Sequence, residues 1–589
     1  MAHKAAKASA AQGLFAKGLA AHQQGRLAEA KKYYQQILRQ LPNDVNALHM
    51  LGLASVQTQH VTWGVELLHK AVALHPNAAE LHGNLGFGLQ AAGRHSDAVA
   101  SFDTAIALNP GYVEAYSNRG ISLGALQRHA EAVASFDRAI ALNPTNASTH
   151  CKRGDALAAL ARYADAVASY DTAITLTPGA SDAFINRGNV LTKLKRHAEA
   201  LASYDRAIAL GPLLADAHCN RGNALRRLGR QEAAMASYDR AITLLAGFAP
   251  AHSNRGLTLH DLARHQEALA SYDRAIACQP DFAEAHRNKA QILLMLGRFA
   301  EGWEEQEWRK RLDEPLGQRT YAQPEWLGQD SIAGKTLFIH AEQGFGDTIQ
   351  FCRYASLVRA LGAKVILSVQ DPLLRLIKGM DADIRVIGAQ ETPADFDRHC
   401  ALMSLPLALR TTLESIPAAP QYLWAEEKPR SDWLQRLGPK TKPRIGLAWS
   451  GNPEHNNDHN RSIALADMQP LLSPQAEWIA LQKDIRPADR MVLVSEPRII
   501  VPAELGDFSD TAALIDAMDM VISVDTSVAH LAAAMGKPTW ILLPHVAEWR
   551  WLLDRTDSPW YPSARLFRQH TRTDWTGLIA EVRTHMSAH

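Results

Sequence analysis

AYSNRGISLGALQRHAEAVASFDRAIALNP, residues 115–144, reads as two amphipathic stretches joined at Gln127-Arg128-His129 and closed by Asn143-Pro144. Its apolar residues recur three and four apart, as a helix with one buried face requires. Proline cannot continue the second helix, so it ends the unit. Moved by 34 residues in either direction, the unit finds itself again. Glycine stands at 18, 52, 86, 120, 154, 188, 222 and 256, and Ala290 takes the ninth place. Proline stands at 42, 76, 110, 144, 178 and 212, is interrupted by Ala246 and resumes at 280. Self-similarity at a fixed period predicts stacked helix pairs that share a continuous core. The small residues let the paired helices approach closely.

The period and the small-residue pattern resemble the tetratricopeptide repeat over about residues 11–312. The resemblance implies nine units, the last less regular, in a superhelix with a concave binding face. Two residues before the glycine, from Gly86 onward, stand Asn84, Asn118, Lys152, Asn186, Asn220, Asn254 and, before Ala290, Asn288. These amides satisfy one another between helices, or they hold an extended peptide, because an amide offers both donor and acceptor. The superhelix of the protein O-GlcNAc transferases, which this half resembles, carries such a ladder, and that resemblance implies peptide binding. A second column pairs Asp103, Asp137, Asp171, Asp205, Asp239 and Asp273 with a base 16 residues on: Arg119, Arg153, Arg187, Arg221, Arg255 and Lys289. It predicts a structural ion-pair ladder between repeats, in which a pair left half-removed inside the stack would be costly.

Residues 1–10 read as an N-terminal tail, and 313–334, rich in Pro, Gly and Gln, as a connector. Beyond it the repeat stops. Short apolar runs appear at 335–340, 364–369, 384–389, 444–451, 477–482, 498–502, 520–525, 538–544 and 564–569, most separated by helical stretches. Strands alternating with helices predict parallel sheets. Two blocks, 335–428 and 429–589, follow from the polar stretch between them. Two Rossmann-like domains facing across a cleft resemble the GT-B glycosyltransferases. The expected fold is therefore an α superhelical repeat solenoid followed by an α/β GT-B half. The final helix, roughly 573–587, is expected to cross back to the first block, as is common in that fold.

The chain of 589 residues has ordinary composition, with 47% hydrophobic and 21% charged residues. A net charge of +1 offers no electrostatic ground for nucleic acid or an anionic membrane as partner. No stretch approaches a membrane span, and the N-terminus has no apolar signal region. Five scattered cysteines without a CxxC argue against a disulfide framework or a cysteine zinc site. A cytoplasmic protein is expected.

Ligands of open α/β sheets sit beyond the carboxyl ends of strands. Three such ends are unusual here. The strand at 335–340 runs into Ala341-Glu342-Gln343-Gly344-Phe345-Gly346-Asp347 and a helix; the glycines allow a tight turn and close approach. Asp347 at the helix start is a cap, or a cap that also carries chemistry. The strand at 520–525 ends in Asp525, Thr526 and Ser527, with His530 on the next helix. Hydroxyls, free N–H groups and a positive dipole end suit a diphosphate, with Asp525 left for sugar hydroxyls. Capping by Thr526 or Ser527, and packing by His530, are the plain alternatives. The strand at 444–451 leads to Ser450, Gly451 and Asn452 and a polar loop ending in Arg461, a phosphate partner or a surface base. Gln482, closing the strand at 477–482, joins this donor set.

The GFGD turn and DTSVAHLAAAMGKP resemble the heptosyltransferase-type GT-B family over about residues 335–585. The resemblance implies Asp347 as general base, with Asp525, Thr526, Ser527 and His530 lining the donor site. Arg461 stands roughly where that family has a phosphate-binding lysine. The family's proline after Gly-Asp is missing, and its glycine after Asp-Thr is Ser527. Repeats joined to such a half look like bacterial flagellin-modifying transferases. Asp381-Ala382-Asp383 precedes a strand instead of ending one, and His455, Asp458 and His459 lack a clear fourth ligand, so no metal is expected. The resulting reading is an inverting, metal-independent transferase without a cofactor. It moves a sugar from a nucleotide-sugar, of unspecified nucleotide, to Ser or Thr of a polypeptide in the groove. The alternatives are a peptide-binding scaffold with an inactive GT-B half, or a lipid or saccharide acceptor.

Overall fold

The computed structural model describes residues 2–312, 320–454, 457–502 and 504–587, with residues 2–8 as backbone alone. They form two compact units, Met1–Ala246 and Gly247–His589.

The first unit is a run of antiparallel helix pairs, exemplified by Val113–Ala125 and His129–Leu142. The periodic glycines have a direct physical reason. A Cβ on Gly120 would lie 2.6 Å from Phe136 Cε1, and the same clash recurs between Gly154 and Tyr170 (2.7 Å), Gly188 and Tyr204 (2.6 Å), and Gly222 and Tyr238 (2.5 Å). Each ring is buried on its partner helix at the glycine. The first helix already begins at Ala2, where composition suggested a tail; its alanines favour helix strongly enough to extend it.

The ladder forms. Arg119–Asp103, Arg153–Asp137, Arg187–Asp171 and Arg221–Asp205 all close to 2.6 Å. Each arginine also donates to a serine of its own repeat, Ser135, Ser169, Ser203 or Ser237, at 2.7 Å. The aspartates are half exposed, at 50–52%, and the arginines are partly exposed, at 21–32%, so a half-removed pair leaves a charge that water still reaches. The large cost expected of a buried ladder therefore does not arise, and each pair contributes about 0–1 kcal/mol.

The second unit opens with further helix pairs, ending in Ala283–Met295, Phe299–Gln306 and a 3-10 turn, Glu307–Arg311. Its core does not stop where the repeat pattern stops. Leu294, Phe299 and Trp303 share one hydrophobic cluster with Trp326, Leu337, Phe351 and Trp560. The Trp303 indole N–H donates to Thr411 O at 3.0 Å. Of the connector, residues 313–319 lie outside the described residues.

Two all-parallel sheets follow. The first contains β1 (Thr336–His340), β2 (Lys364–Val369), β3 (Arg385–Gly388) and β4 (Arg398–Ala401), ordered 3-2-1-4. The second contains β5 (Arg444–Ala448), β6 (Glu477–Ala480), β7 (Ile499–Ile500), β8 (Met520–Val524), β9 (Thr539–Leu543) and β10 (Ala564–Arg568), ordered 10-9-8-5-6-7. That second order is the doubly wound Rossmann arrangement, with its switch point between β5 and β8. Nine of the strands fall on the apolar runs of the sequence. β4, Arg-His-Cys-Ala, does not, because it carries no apolar run and owes its form to pairing with β1 from Leu337↔Arg398 to His340↔Ala401. The last helix, Trp575–Ser587, does not return to the first block: Leu578, Ile579 and Val582 pack with Leu471, Leu472 and Phe567 on the second sheet's own core.

Candidate functional site

β1 ends at His340, and the chain turns into the helix Phe345–Phe351. The turn is braced by Gln370, whose Nε2 donates to Gln343 O (2.6 Å) while its Oε1 accepts from Thr348 Oγ1 (2.9 Å). Glu342 lies under it, paired at 2.6 Å with Arg309 from the 3-10 turn; both side chains are buried. Arg309 also donates to Ser404 Oγ beyond β4, at 2.8 Å. The glycines serve close approach more than turning. Gly344 has an extended backbone, φ −69° and ψ 169°. Gly346 lies against the second sheet's domain, where a Cβ would come within 3.0 Å of His530 Cδ2.

Asp347, the third residue of that helix, accepts from Gly344 N–H at 2.9 Å through Oδ2. Its Oδ1 accepts from Arg550, a buried residue of the 3-10 turn Trp549–Trp551 that follows β9. Burial raises the Asp347 carboxyl above its ordinary range, and Arg550 opposes this.

Across the Gly346 contact lies the end of β8. Asp525 and Thr526 are buried. Thr526 caps the helix Ser527–Ala534 by backbone position only, because its hydroxyl makes no cap bond and sits 3.2 Å from Ser523 Oγ. The helix N–H groups are thus left to another acceptor. Ser527 is half-buried at the first position of the helix. Burial, and then the Glu548 charge, push the Asp525 carboxyl up to about 6, against the Trp551 indole N–H and the Arg550 and Arg461 cations. His530 is held well below the usual imidazole range by burial and by Arg550, Arg353 and Arg461, so its ring is neutral. Its Nδ1 shares a hydrogen bond with Tyr561 OH (2.8 Å), and its Nε2 lies 3.8 Å from Asp525 Oδ1.

The third strand end meets the second at the switch point. Arg461 Nη1 donates to Asp525 O at 3.1 Å. Its guanidinium lies over Gly451, where a Cβ would come within 2.7 Å of Nη2. Gln482 Oε1 accepts from Ser450 N at 3.1 Å and so holds the loop. The Ser450 hydroxyl is buried without a hydrogen-bond partner. Asn452 is exposed and spends its Oδ1 on Glu454 N at 3.0 Å.

Asp347, Gly346, His530, Asp525, Arg461 and Gly451 therefore form one connected chain of contacts. Asn452 stands at its exposed margin. Sequence reasoning missed Arg550, Glu548 and Trp551, although they follow the carboxyl end of a fourth strand, β9. It also missed Arg486, which donates to Asp458, Ser462 Oγ (3.1 Å) and Gly451 O (3.4 Å). Arg353 clamps the two sheet domains: it lies 4.2 Å from the Tyr422 ring centre and 4.6 Å from that of Tyr561, and donates to Trp560 O at 2.6 Å. The Asp381-Ala382-Asp383 acids pair with Arg359 at 2.9 and 3.2 Å. His455 lies outside the described residues, and Asp458 is paired with Arg486. Among the described residues no group of three metal-ligating side chains occurs, and no helix is long and apolar enough to cross a membrane.

The asparagine column is half-buried throughout. Asn84 Nδ2 meets His49 Nε2 at 2.6 Å, Asn186 Nδ2 donates to Asp155 Oδ1 at 3.0 Å, and Asn220 Nδ2 to Asn189 Oδ1 at 3.1 Å. These amino groups bond between repeats. Asn288 Oδ1 accepts from Arg287 at 3.2 Å. Asn118 and Asn254 hold the equivalent helix position.

The tetratricopeptide-repeat family matches residues 88–147, 151–215, 201–250 and 254–303, and a second model of that repeat matches 11–44. The N-terminal half is a tetratricopeptide-repeat solenoid. Glycosyltransferase family 9 (heptosyltransferase) matches residues 501–551, a segment that holds Asp525, Thr526, Ser527, His530 and Arg550. Protein FlbA of Caulobacter vibrioides is 28% identical over 323 residues, 50% of this chain and 53% of the relative, so the match spans about half the relative's length. Among solved structures, YrrB, described as a TPR protein with an unusual peptide-binding site, is 26% identical, with TM-score 0.29, covering 32% of this chain and 98% of its own. PilF of Pseudomonas aeruginosa is 20% identical, with TM-score 0.32, covering 35% and 94%.

Proposed function

We propose that the protein is an inverting glycosyltransferase that moves a sugar from a nucleotide-sugar to Ser or Thr hydroxyls of a polypeptide held by the repeats. The observation that carries this reading is the packing of Gly346 on His530, which brings Asp347 beside the β8–helix junction. The acceptor hydroxyl gives its proton to the Asp347 carboxylate, and its oxygen bonds to the anomeric carbon. The bond from that carbon to the leaving phosphate breaks on the opposite face, and the nucleotide departs with the electron pair. The helix start at Thr526–Ser527 and the Arg461 guanidinium stabilise charge growing on the phosphates. Asp525 takes sugar hydroxyls, and Ser450, Gly451 and Gln482 shape the nucleotide side, with Asn452 at its margin. The neutral His530 offers a hydrogen bond without adding charge. Along the groove, Asn84, Asn118, Asn186, Asn220, Asn254 and Asn288 present amide oxygens to peptide N–H groups, which raises the local concentration of one hydroxyl. Flagellin is the acceptor class to try first, on the likeness to flagellin-modifying transferases.

The Arg550 bond to Asp347 favours a second reading, a peptide-binding scaffold whose acid has only a structural partner. A thermal-shift panel of UDP, ADP, GDP and CMP with their sugar conjugates separates the two. A transferase gives a shift with one nucleotide, lost in Arg461→Ala. The absence of any shift at millimolar concentration favours the scaffold. Asp347→Asn retains that shift and abolishes transfer; normal turnover in this variant removes Asp347 from the mechanism.

A further inference from the structure

Arg550 has no part in the chemistry above, yet it is the most heavily bonded side chain beside Asp347. It reaches from the turn after β9 to the helix that follows β1, and only 4% of it is exposed. Nη2 donates to Asp347 Oδ1, Nε to Gln350 Oε1 one turn further along the same helix (2.6 Å), and Nη1 to Glu548. The guanidinium plane is backed by Trp549, 4.5 Å from its ring centre. A planar fork with three different acceptors and an aromatic floor has one orientation, which a lysine cannot reproduce. Because Gly344 N–H holds Oδ2 at 2.9 Å, the carboxylate is bonded at both oxygens and cannot rotate. Each oxygen keeps one further lone pair.

We propose that Arg550 is a positioning residue for Asp347: it fixes the plane of the carboxylate and holds it as an anion, with Glu548 as the counterweight that limits the effect. The proposal rests on the reading of Asp347 as the base. The charged groups acting on Asp347 are Arg550 and Glu548 from the β9 turn and Glu342 from its own turn; on the β8 side Asp525 feels the same Arg550 and Glu548, and His530 lies against the neighbouring Gly346; Glu342 is itself neutralised by Arg309. Burial works against the anion, Arg550 works for it, and Glu548 works against it. An opposite charge in direct contact lowers a carboxyl by about 1–3 pH units. The two neighbours therefore act on Asp347 with opposite signs.

The test labels carboxyls in the intact, ligand-free protein with a water-soluble carbodiimide and glycine ethyl ester. Labelling of the Asp347 peptide is followed by mass spectrometry against pH and referred to Glu427, whose side chain is 86% exposed. The expected result is a titration midpoint for Asp347 that rises by about 1–3 pH units in Arg550→Gln and falls in Glu548→Gln. Midpoints that stay put in both, or that move in the same direction, overturn the proposal. Circular dichroism establishes which variants fold. Should Arg550→Gln not fold, Glu548→Gln decides alone: a fall supports the proposal, and no fall overturns it. No donor or acceptor enters the measurement, so its outcome is read independently of the transferase reading. Opposite shifts together with a fully active Asp347→Asn would sink only the role of Asp347 as base.

Discussion

Gly346→Val tests the contact on which the candidate site depends. A Cβ at Gly346 would lie 3.0 Å from His530 Cδ2 and 3.6 Å from Nε2. His530 cannot swing aside: its ring stacks on Trp551 at 5.3 Å, is bonded to Tyr561 and is 5% exposed. Two opposing effects then compete. Replacing a helical glycine by alanine gains up to about 1 kcal/mol of propensity, while a single close contact asks for a few tenths of an ångström from the ring. Gly346→Ala is therefore expected to stay within about 1 kcal/mol of wild type. Valine gains less propensity and adds two methyl groups to the same gap, an overpacking cost of about 1–3 kcal/mol. Tryptophan fluorescence during urea unfolding is the suitable assay, because of the 13 tryptophans only Trp63 lies before residue 303, so the signal reports the second unit. The midpoint should fall in Gly346→Val and recover in Gly346→Val/His530→Ala. A valine variant that unfolds at the wild-type midpoint, or whose loss persists unchanged beside His530→Ala, would refute the contact as the cause.

Further outcomes follow from the same geometry. Asp525, raised to about 6 when folded, contributes stability that is full below the unfolded value near 4 and lost as pH rises through about 6, so Asp525→Asn should flatten that fall in melting temperature. His530, depressed when folded, acts in the other sense: its contribution is present above about 6.5 and lost as pH falls, and His530→Gln should remove the acid-side loss. Arg309→Met strands the buried Glu342 and should cost about 3–5 kcal/mol by urea midpoint, with much of it returned in Arg309→Met/Glu342→Gln. In the ladder, Asp137→Ala should cost about 0–1 kcal/mol, because half of the side chain is already in water, whereas Phe136→Ala should cost about 3–5 kcal/mol by emptying the space that Gly120 leaves; calorimetry separates the two.

Local pattern made most of the architecture legible. The 34-residue period sets helix pairs because each periodic glycine must face an aromatic ring or leucine on the partner helix, a requirement met at all eight of them. Nine of the ten strands among the described residues carry their own apolar runs, because a strand covered on both faces must be apolar along its length. The strand ends bearing Asp347, Asp525 and Ser450 were likewise visible, since parallel strands place their ligands at carboxyl ends. Other features depend on partners distant in the chain. β4 is a strand only because β1 supplies its hydrogen bonds. The final helix stays on the second sheet because Leu578, Ile579 and Val582 find Leu471, Leu472 and Phe567 there. The last repeat merges with the first sheet because Trp303 and Arg309 find buried partners beyond the repeat, at Thr411 and Glu342. Arg550 meets Asp347 across 203 residues of chain. Periodicity and propensity are properties of neighbouring residues, whereas a buried charge is placed by whichever counter-charge the folded chain brings to it, and that only the tertiary structure decides.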